Sequence, residues 1–224
     1  MKIDILTLFP EMYEGFLSSS IIKRAILNNK VTINLIDFRK YSKLNNNQVD
    51  DTPYGGGSGM VIMCEPIVSA LKDIRTKDSH IILLDPKGKL YKQHKAIEYS
   101  KYKHIILICG HYEGIDERVK NYVDEVISIG DYILTGGEVA AMVVTDSIVR
   151  LIDGVINKIS LENESFNNNL LDYPVYTKPR DYEGYMVPEV LLSGDHQKIN
   201  EFNQSEALRL TKENRPDLLE HQNE

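Results

Sequence analysis

The chain reads as an α/β protein with a mostly parallel sheet and a small helical piece at its C-terminal end. Three observations carry this. Short apolar runs recur up to about residue 156, segments of helical spacing separate them, and a polar, asparagine-rich stretch at 157–169 then interrupts the pattern. With 224 residues, 42% of them hydrophobic, the chain can bury one full-sized core plus an appendage.

Lys2–Leu8, His80–Asp85 and His104–Cys109 are expected strands whose apolar runs suit burial on both faces, while Val31–Phe38 and Asp124–Ile129 alternate more visibly. Ser18–Asn28 is an expected helix, with serines to cap it and Asn28-Asn29 to end it. Glu65–Arg75 carries Pro66 early, where a missing N–H costs little. Gln93–Lys101 and Ile115–Val123 follow the next strands as helices, and Glu138–Ile152 is the longest and most apolar candidate. Strand and helix in turn imply a parallel sheet covered on both faces.

The domains are expected at 1–156, with a flexible linker at 157–170 and a helical unit at 171–224. Tyr173-Pro174 and Lys178-Pro179-Arg180 look like extended, proline-fixed chain. Ile199, Phe202, Leu208 and Leu210 then give helical spacing over Asp195–Glu220, with Pro216 starting a last turn.

The longest uninterrupted apolar run, Val139–Val144, is far too short for a membrane span, and Asp4, Thr7 and Pro10-Glu11 break any signal-peptide pattern. Cys64 and Cys109 lack metal-ligand spacing and read as reduced packing residues of a cytoplasmic protein. A net charge of −7 argues against a generic nucleic-acid binder. Between Lys87 and Lys103, however, Lys87, Lys89, Lys92, Lys95, Lys101 and Lys103 face one acid, Glu98. That stretch permits phosphate contacts, and equally a solvated helix face.

In open α/β sheets, ligands bind beyond the carboxyl ends of the strands. Three loops there have unusual composition: Asp85–Lys89, Cys109–Arg118 and Ser128–Glu138. Their glycines let backbone approach backbone or ligand. No GxGxxG follows a strand, and Gly88-Lys89 has Leu83 where a P-loop needs its first glycine. Considered alone, Gly136-Gly137 is equally well a simple tight turn.

Together, the runs GHYEGIDERV (110–119) and SIGDYILTGGE (128–138) resemble the cofactor-binding signature of the tRNA (guanine-N1)-methyltransferases, a family of the knotted SPOUT class. Tyr54–Met60 resembles the family's glycine-rich substrate loop, and Arg150, Ser165-Phe166, Leu170–Pro174, Tyr176–Pro179 and Leu192–His196 match later landmarks in order. The resemblance covers nearly the whole chain. Two positions depart from the usual pattern: Glu164 stands where aspartate is usual, and Ser58 where proline is usual.

The resemblance implies a deep trefoil knot in the sheet domain, an exception to unthreaded connections. It implies that Pro86, Gly110, Tyr112 and Glu113, with Ile129, Gly130, Asp131, Tyr132, Ile133, Leu134, Gly136 and Gly137, bind S-adenosylmethionine. Glu113 would offset the sulfonium or bind guanine, against a plain salt bridge to Arg118. The implied reaction methylates N1 of guanosine 37 of tRNA, which needs a base to remove the N1 proton. Glu164 is the first candidate and Asp172 the second, with capping of Tyr173-Pro174 as the latter's structural role. Arg150 would stabilise charge at O6, or simply suit a helix terminus. A homodimer with shared sites is implied, with Lys178 and Arg180 helping to grip tRNA. Magnesium is a further cofactor the resemblance allows, although no Asp/Glu cluster marks a metal site. A ribosomal-RNA methyltransferase and a non-catalytic RNA-binding module are the alternatives.

Overall fold

A computed structural model describes residues 1–157, 160–161 and 164–220. The chain divides into two compact units, Met1–Ile156 and Asn157–Glu224.

The first unit is built on a five-stranded parallel sheet in the order β2-β1-β6-β5-β7. Its strands are β1 (Lys2–Thr7), β2 (Thr32–Asp37), β5 (Ser79–Leu90), β6 (His104–Cys109) and β7 (Glu125–Ser128). A minor ladder pairs β3 (Asp50–Asp51) with β4 (Val61–Ile62). Every residue of β6 is buried, as its unbroken apolar run requires of an interior strand covered on both faces. Alternation then sorts side chains between two cores. Ile3, Ile5, Ile105, Leu107 and Ile82 face one side, with Val144 and Ile148. Leu6, Ile106, Ile108, Ile81 and Leu83 face the other, against Ile67 and Leu71.

The helices are α1 (Glu14–Leu17), α2 (Ser20–Leu27), α3 (Cys64–Ile74), α4 (Gln93–Tyr99) and α5 (Glu138–Val149). Expectation and structure differ at two places. Ile115–Val123 is not an α-helix but a 3₁₀ turn over Glu117–Tyr122, because the Asp116 carboxylate accepts the Arg118 N–H and starts a tighter coil. The expected loop after Leu84 is instead an outward bulge of β5. The strand leaves the ladder at Leu84 and returns at Lys89, both paired with Ile127.

The second unit holds a short antiparallel pair, β8 (Asp181–Tyr182) and β9 (Tyr185–Met186), and then α6 (Glu189–Leu192), α7 (His196–Asn214) and α8 (Asp217–Glu220). The Asp195 side chain caps α7 by accepting the Lys198 N–H, and Pro216 separates α7 from α8. Part of the expected linker, at 158–159 and 162–163, lies outside the described residues. Its end folds back within this unit. Phe166 N–H donates to Leu170 O at 2.7 Å, and Leu171 N–H to the buried Thr211 hydroxyl at 2.9 Å. No helix among the described residues is long and apolar enough to cross a membrane.

Candidate active site

The parallel order places the carboxyl ends of β5, β6 and β7 side by side. The loops leaving them therefore meet, and between them lies a cavity of about 490 Å³. From the β5 bulge come Pro86 and Lys87; from the β6 loop come Gly110, His111, Tyr112 and Glu113. The long β7 loop contributes Ile129, Gly130, Tyr132, Ile133, Leu134, Gly136 and Gly137. Of the twelve residues singled out for the cofactor, only Asp131 is absent from this lining.

Backbone contact closes the pocket floor. Gly137 N–H donates to Gly110 O at 2.8 Å, and a Cβ on Gly137 would lie 2.7 Å from Cys109 Cα. No larger residue fits, because the start of α5 rests directly on the end of β6. Behind this contact the buried Glu138 carboxylate accepts the Thr7 hydroxyl at 2.8 Å, so β1 and α5 are tied together beneath the loops. Burial pushes the neighbouring Cys109 thiol up, with Glu138 adding to it, so this cysteine is a protonated packing group.

The pocket mouth is aromatic. Tyr112, at φ 57°, and Tyr132 are each about half exposed, at 50% and 55%. Tyr112 also packs edge-on to His111 at 5.3 Å. Glu113 stands where the glycine-rich loop arrives. Its N–H donates to Met60 O at 3.0 Å, and Gly59, at φ 86°, lies so close that a Cβ there would be 2.5 Å from Glu113 Cγ. Arg118 turns away from it to Asp116, at 2.6 Å, and this bond is the main cause holding the Asp116 carboxyl below the usual range. The sequence loop Tyr54–Met60 and the residue Glu113 are thus neighbours.

Arg150, Glu164 and Asp172 are not among these lining residues. Arg150 is the C-cap of α5, with its N–H on Asp146 O, one helix length from Gly137. Twelve residues correspond to about 18 Å. Glu164 and Asp172 belong to the second unit. Asp172 does cap its turn, accepting the Tyr173 N–H at 2.8 Å, while its own N–H reaches the Ser165 hydroxyl at 2.9 Å. Arg180 is in an ion pair with Glu189.

Two groups carry more than the sequence alone assigns: His111 lines the cavity, and Glu138 lies buried behind its floor. His111 has its Nδ1 buried without a hydrogen-bond partner among the described residues, beside Phe9 at 4.9 Å between ring centres. Glu138 was quoted only as part of a motif. Neither signal was readable beforehand, since burial and the Thr7 contact depend on how β1 meets α5. Among the described residues, no group of three or more His, Cys, Asp or Glu is arranged to hold a metal.

Fold and pocket together define an α/β protein whose ligand-sized site sits on the carboxyl edge of a parallel sheet. The family model described as tRNA (Guanine-1)-methyltransferase TrmD matches residues 1–221, so the chain belongs to this family. It is 57% identical over 221 residues to the tRNA (guanine-N(1)-)-methyltransferase of Ureaplasma urealyticum serovar 10, covering 98% of this chain and 97% of that one. The protein of the same name from Malacoplasma penetrans is 56% identical over 219 residues, covering 98% and 97%. That from Staphylococcus aureus strain JH9 is 52% identical over 223 residues, covering 98% and 91%.

Proposed function

We propose that this protein transfers a methyl group from S-adenosylmethionine to N1 of guanosine 37 of tRNA, in the cytoplasm, as a homodimer. The observation that carries the reading is the cavity of about 490 Å³, into which three glycine-bearing loops and two half-exposed tyrosines converge. Its size suits a cofactor-sized ligand, its backbone N–H and C=O groups suit the uncharged edge of adenine, and the unpartnered His111 Nδ1 offers one more polar contact. The family's trefoil knot belongs to the same reading.

The bound donor supplies an electrophilic methyl group on a sulfonium. The protein's share is alignment and proton handling. Pro86, Gly110, Gly136 and Gly137 fix the donor, and Tyr112 and Tyr132 restrict its mouth. Glu113 lies against the pocket, where its carboxylate offsets the sulfonium or holds the guanine. Glu164 accepts the N1 proton, Arg150 stabilises the charge that develops at O6, and Asp172 contacts substrate.

Two features support the dimer reading. Arg150 lies about one helix length from the pocket of its own chain. Val139 and Val143, one turn apart on α5, are both 45% exposed and form an apolar stripe that a second copy would cover. A partner would thereby bring its own Arg150 and Glu164 to the pocket.

Methyl incorporation into tRNA bearing guanosine 37, compared with the same tRNA bearing adenosine there, tests the reading. Transfer to the first alone is expected; equal transfer to both would overturn the assigned base.

A further inference from the structure

The lysine-rich stretch 87–103 does not act as one surface. Lys87 lines the pocket at the carboxyl edge, and Lys95 is bound to Glu98 and Glu125 at 3.0 and 2.9 Å. Lys101 and Lys103, at the start of β6, lie at the opposite edge of the sheet. There they meet Lys77, which precedes β5, around an open depression of about 310 Å³ that also includes Asp78, Ser79, His80 and Tyr102.

The register makes this edge level. Thr32, Lys2, His104 and Ser79 form one row across β2, β1, β6 and β5. Strands are spaced by about 4.8 Å, so Lys30, Lys2, Lys103 and Lys77 form a band along the strand starts. The carboxylates nearby are largely spent internally. Asp4 is buried and takes Lys2, Asn34 and His104; Asp124 accepts the Ile81 N–H at 2.8 Å; Glu125 takes Lys95 and the Tyr99 hydroxyl. Asp78 is the one carboxylate in the depression, whereas Lys77, Lys101 and Lys103 make no ion pair among the described residues. His80, stacked on Tyr102 at 4.4 Å, faces inward to the Asp124 and Glu125 carboxylates at 3.9 and 3.5 Å, so the exposed charge of the depression comes from its lysines.

We propose that this amino edge of the sheet is a second phosphate-contacting surface, which holds the RNA backbone of the tRNA substrate away from the methyl-transfer pocket. It rests on the tRNA reading above. A chain of net charge −7 repels a polyanion overall and needs a local positive field to hold one. Flexible ammonium groups spread over several strand starts suit a run of phosphates better than one small anion. The band lies roughly 17 Å along β5 from the pocket, a separation a polynucleotide can span and a single nucleotide cannot.

The test is tRNA affinity as a function of salt for the full-length protein carrying Lys77→Glu, Lys101→Glu and Lys103→Glu. A charge-matched control carries Lys23→Glu, Arg24→Glu and Lys72→Glu. Affinity of the first variant is expected to fall at least tenfold at low salt, with the log–log salt slope smaller by roughly two, since each lost phosphate contact removes about 0.7–0.9. Donor affinity and the rate at saturating tRNA should match the parent, and Lys→Gln changes at the same positions should give a smaller loss. An unchanged slope, an equal loss in the control, or a loss of donor affinity would each overturn the proposal. Competition by inorganic phosphate or a mononucleotide as effective as by RNA would assign the site to a small anion and overturn it too. A parent protein that binds RNA through these lysines but methylates no tRNA would sink the functional reading and leave this one standing.

Discussion

The Thr7 hydroxyl donates to the Glu138 carboxylate at 2.8 Å, joining the end of β1 to the first residue of α5 across 131 positions of sequence. Both side chains are buried, and the Phe9 N–H donates in turn to the Thr7 oxygen at 3.0 Å. The bond supports Gly136-Gly137 from behind. Glu138→Ala removes the acceptor and leaves the buried Thr7 O–H with no group to donate to, although its oxygen still accepts the Phe9 N–H. A loss of about 1.5–3 kcal/mol in denaturant unfolding is expected, with Glu138→Gln losing less because its amide oxygen still accepts.

Gly137→Ala places a methyl group against Cys109 Cα and Gly110 N. Overpacking of this kind costs about 1–3 kcal/mol. The strain falls on two pocket loops at once, so calorimetry with S-adenosylmethionine should show donor affinity reduced by roughly tenfold or more. Parent-like affinity would mean that the floor can shift freely.

Under the proposed mechanism, Glu164→Gln keeps size and removes the proton acceptor. Methyl transfer at saturating substrates should slow by about 10²–10⁴-fold while donor affinity stays within twofold. An unchanged rate would pass the role to Asp172, where Asp172→Asn is the next variant.

Acid sensitivity has a predictable source at Glu125. Burial raises its pKa, but hydrogen bonds from Lys95 and Tyr99 outweigh this and hold it below the ordinary value. A carboxylate lowered in the folded state contributes stability that is complete above its unfolded pKa, about 4.3, and is lost as pH falls through the folded value. Unfolding midpoints between about pH 3 and 5 should therefore fall less steeply in Glu125→Gln than in the parent.

Val139→Asp with Val143→Asp puts charge on the exposed stripe of α5 without touching the buried Val144 and Ile148. The proposed homodimer predicts that light scattering reports a dimer for the parent and a monomer for this variant. Methyl transfer should drop with it, since under that proposal a second copy supplies Arg150 and Glu164.

Much of the fold was readable because its causes are local. The apolar run Ile105–Cys109 suits only the sheet interior, and the parallel order then brings the three loops together. Other features depend on distant partners. The β5 bulge exists because Lys89 returns to Ile127, already paired with Leu84. The buried role of Glu138 needs Thr7, and Glu113 is placed by Met60 and Gly59. The short coil at Glu117–Tyr122 is not legible in the sequence, because apolar spacing cannot distinguish one tight turn from the first turn of a longer helix.

A crystal structure with S-adenosylhomocysteine bound is the most direct measurement. The ligand is expected inside the loops that follow β5, β6 and β7, its adenine against the backbone near Gly110 and Gly136, bounded by Tyr112 and Tyr132. Density for it anywhere else on the protein, with that cavity filled only by water, would contradict the account.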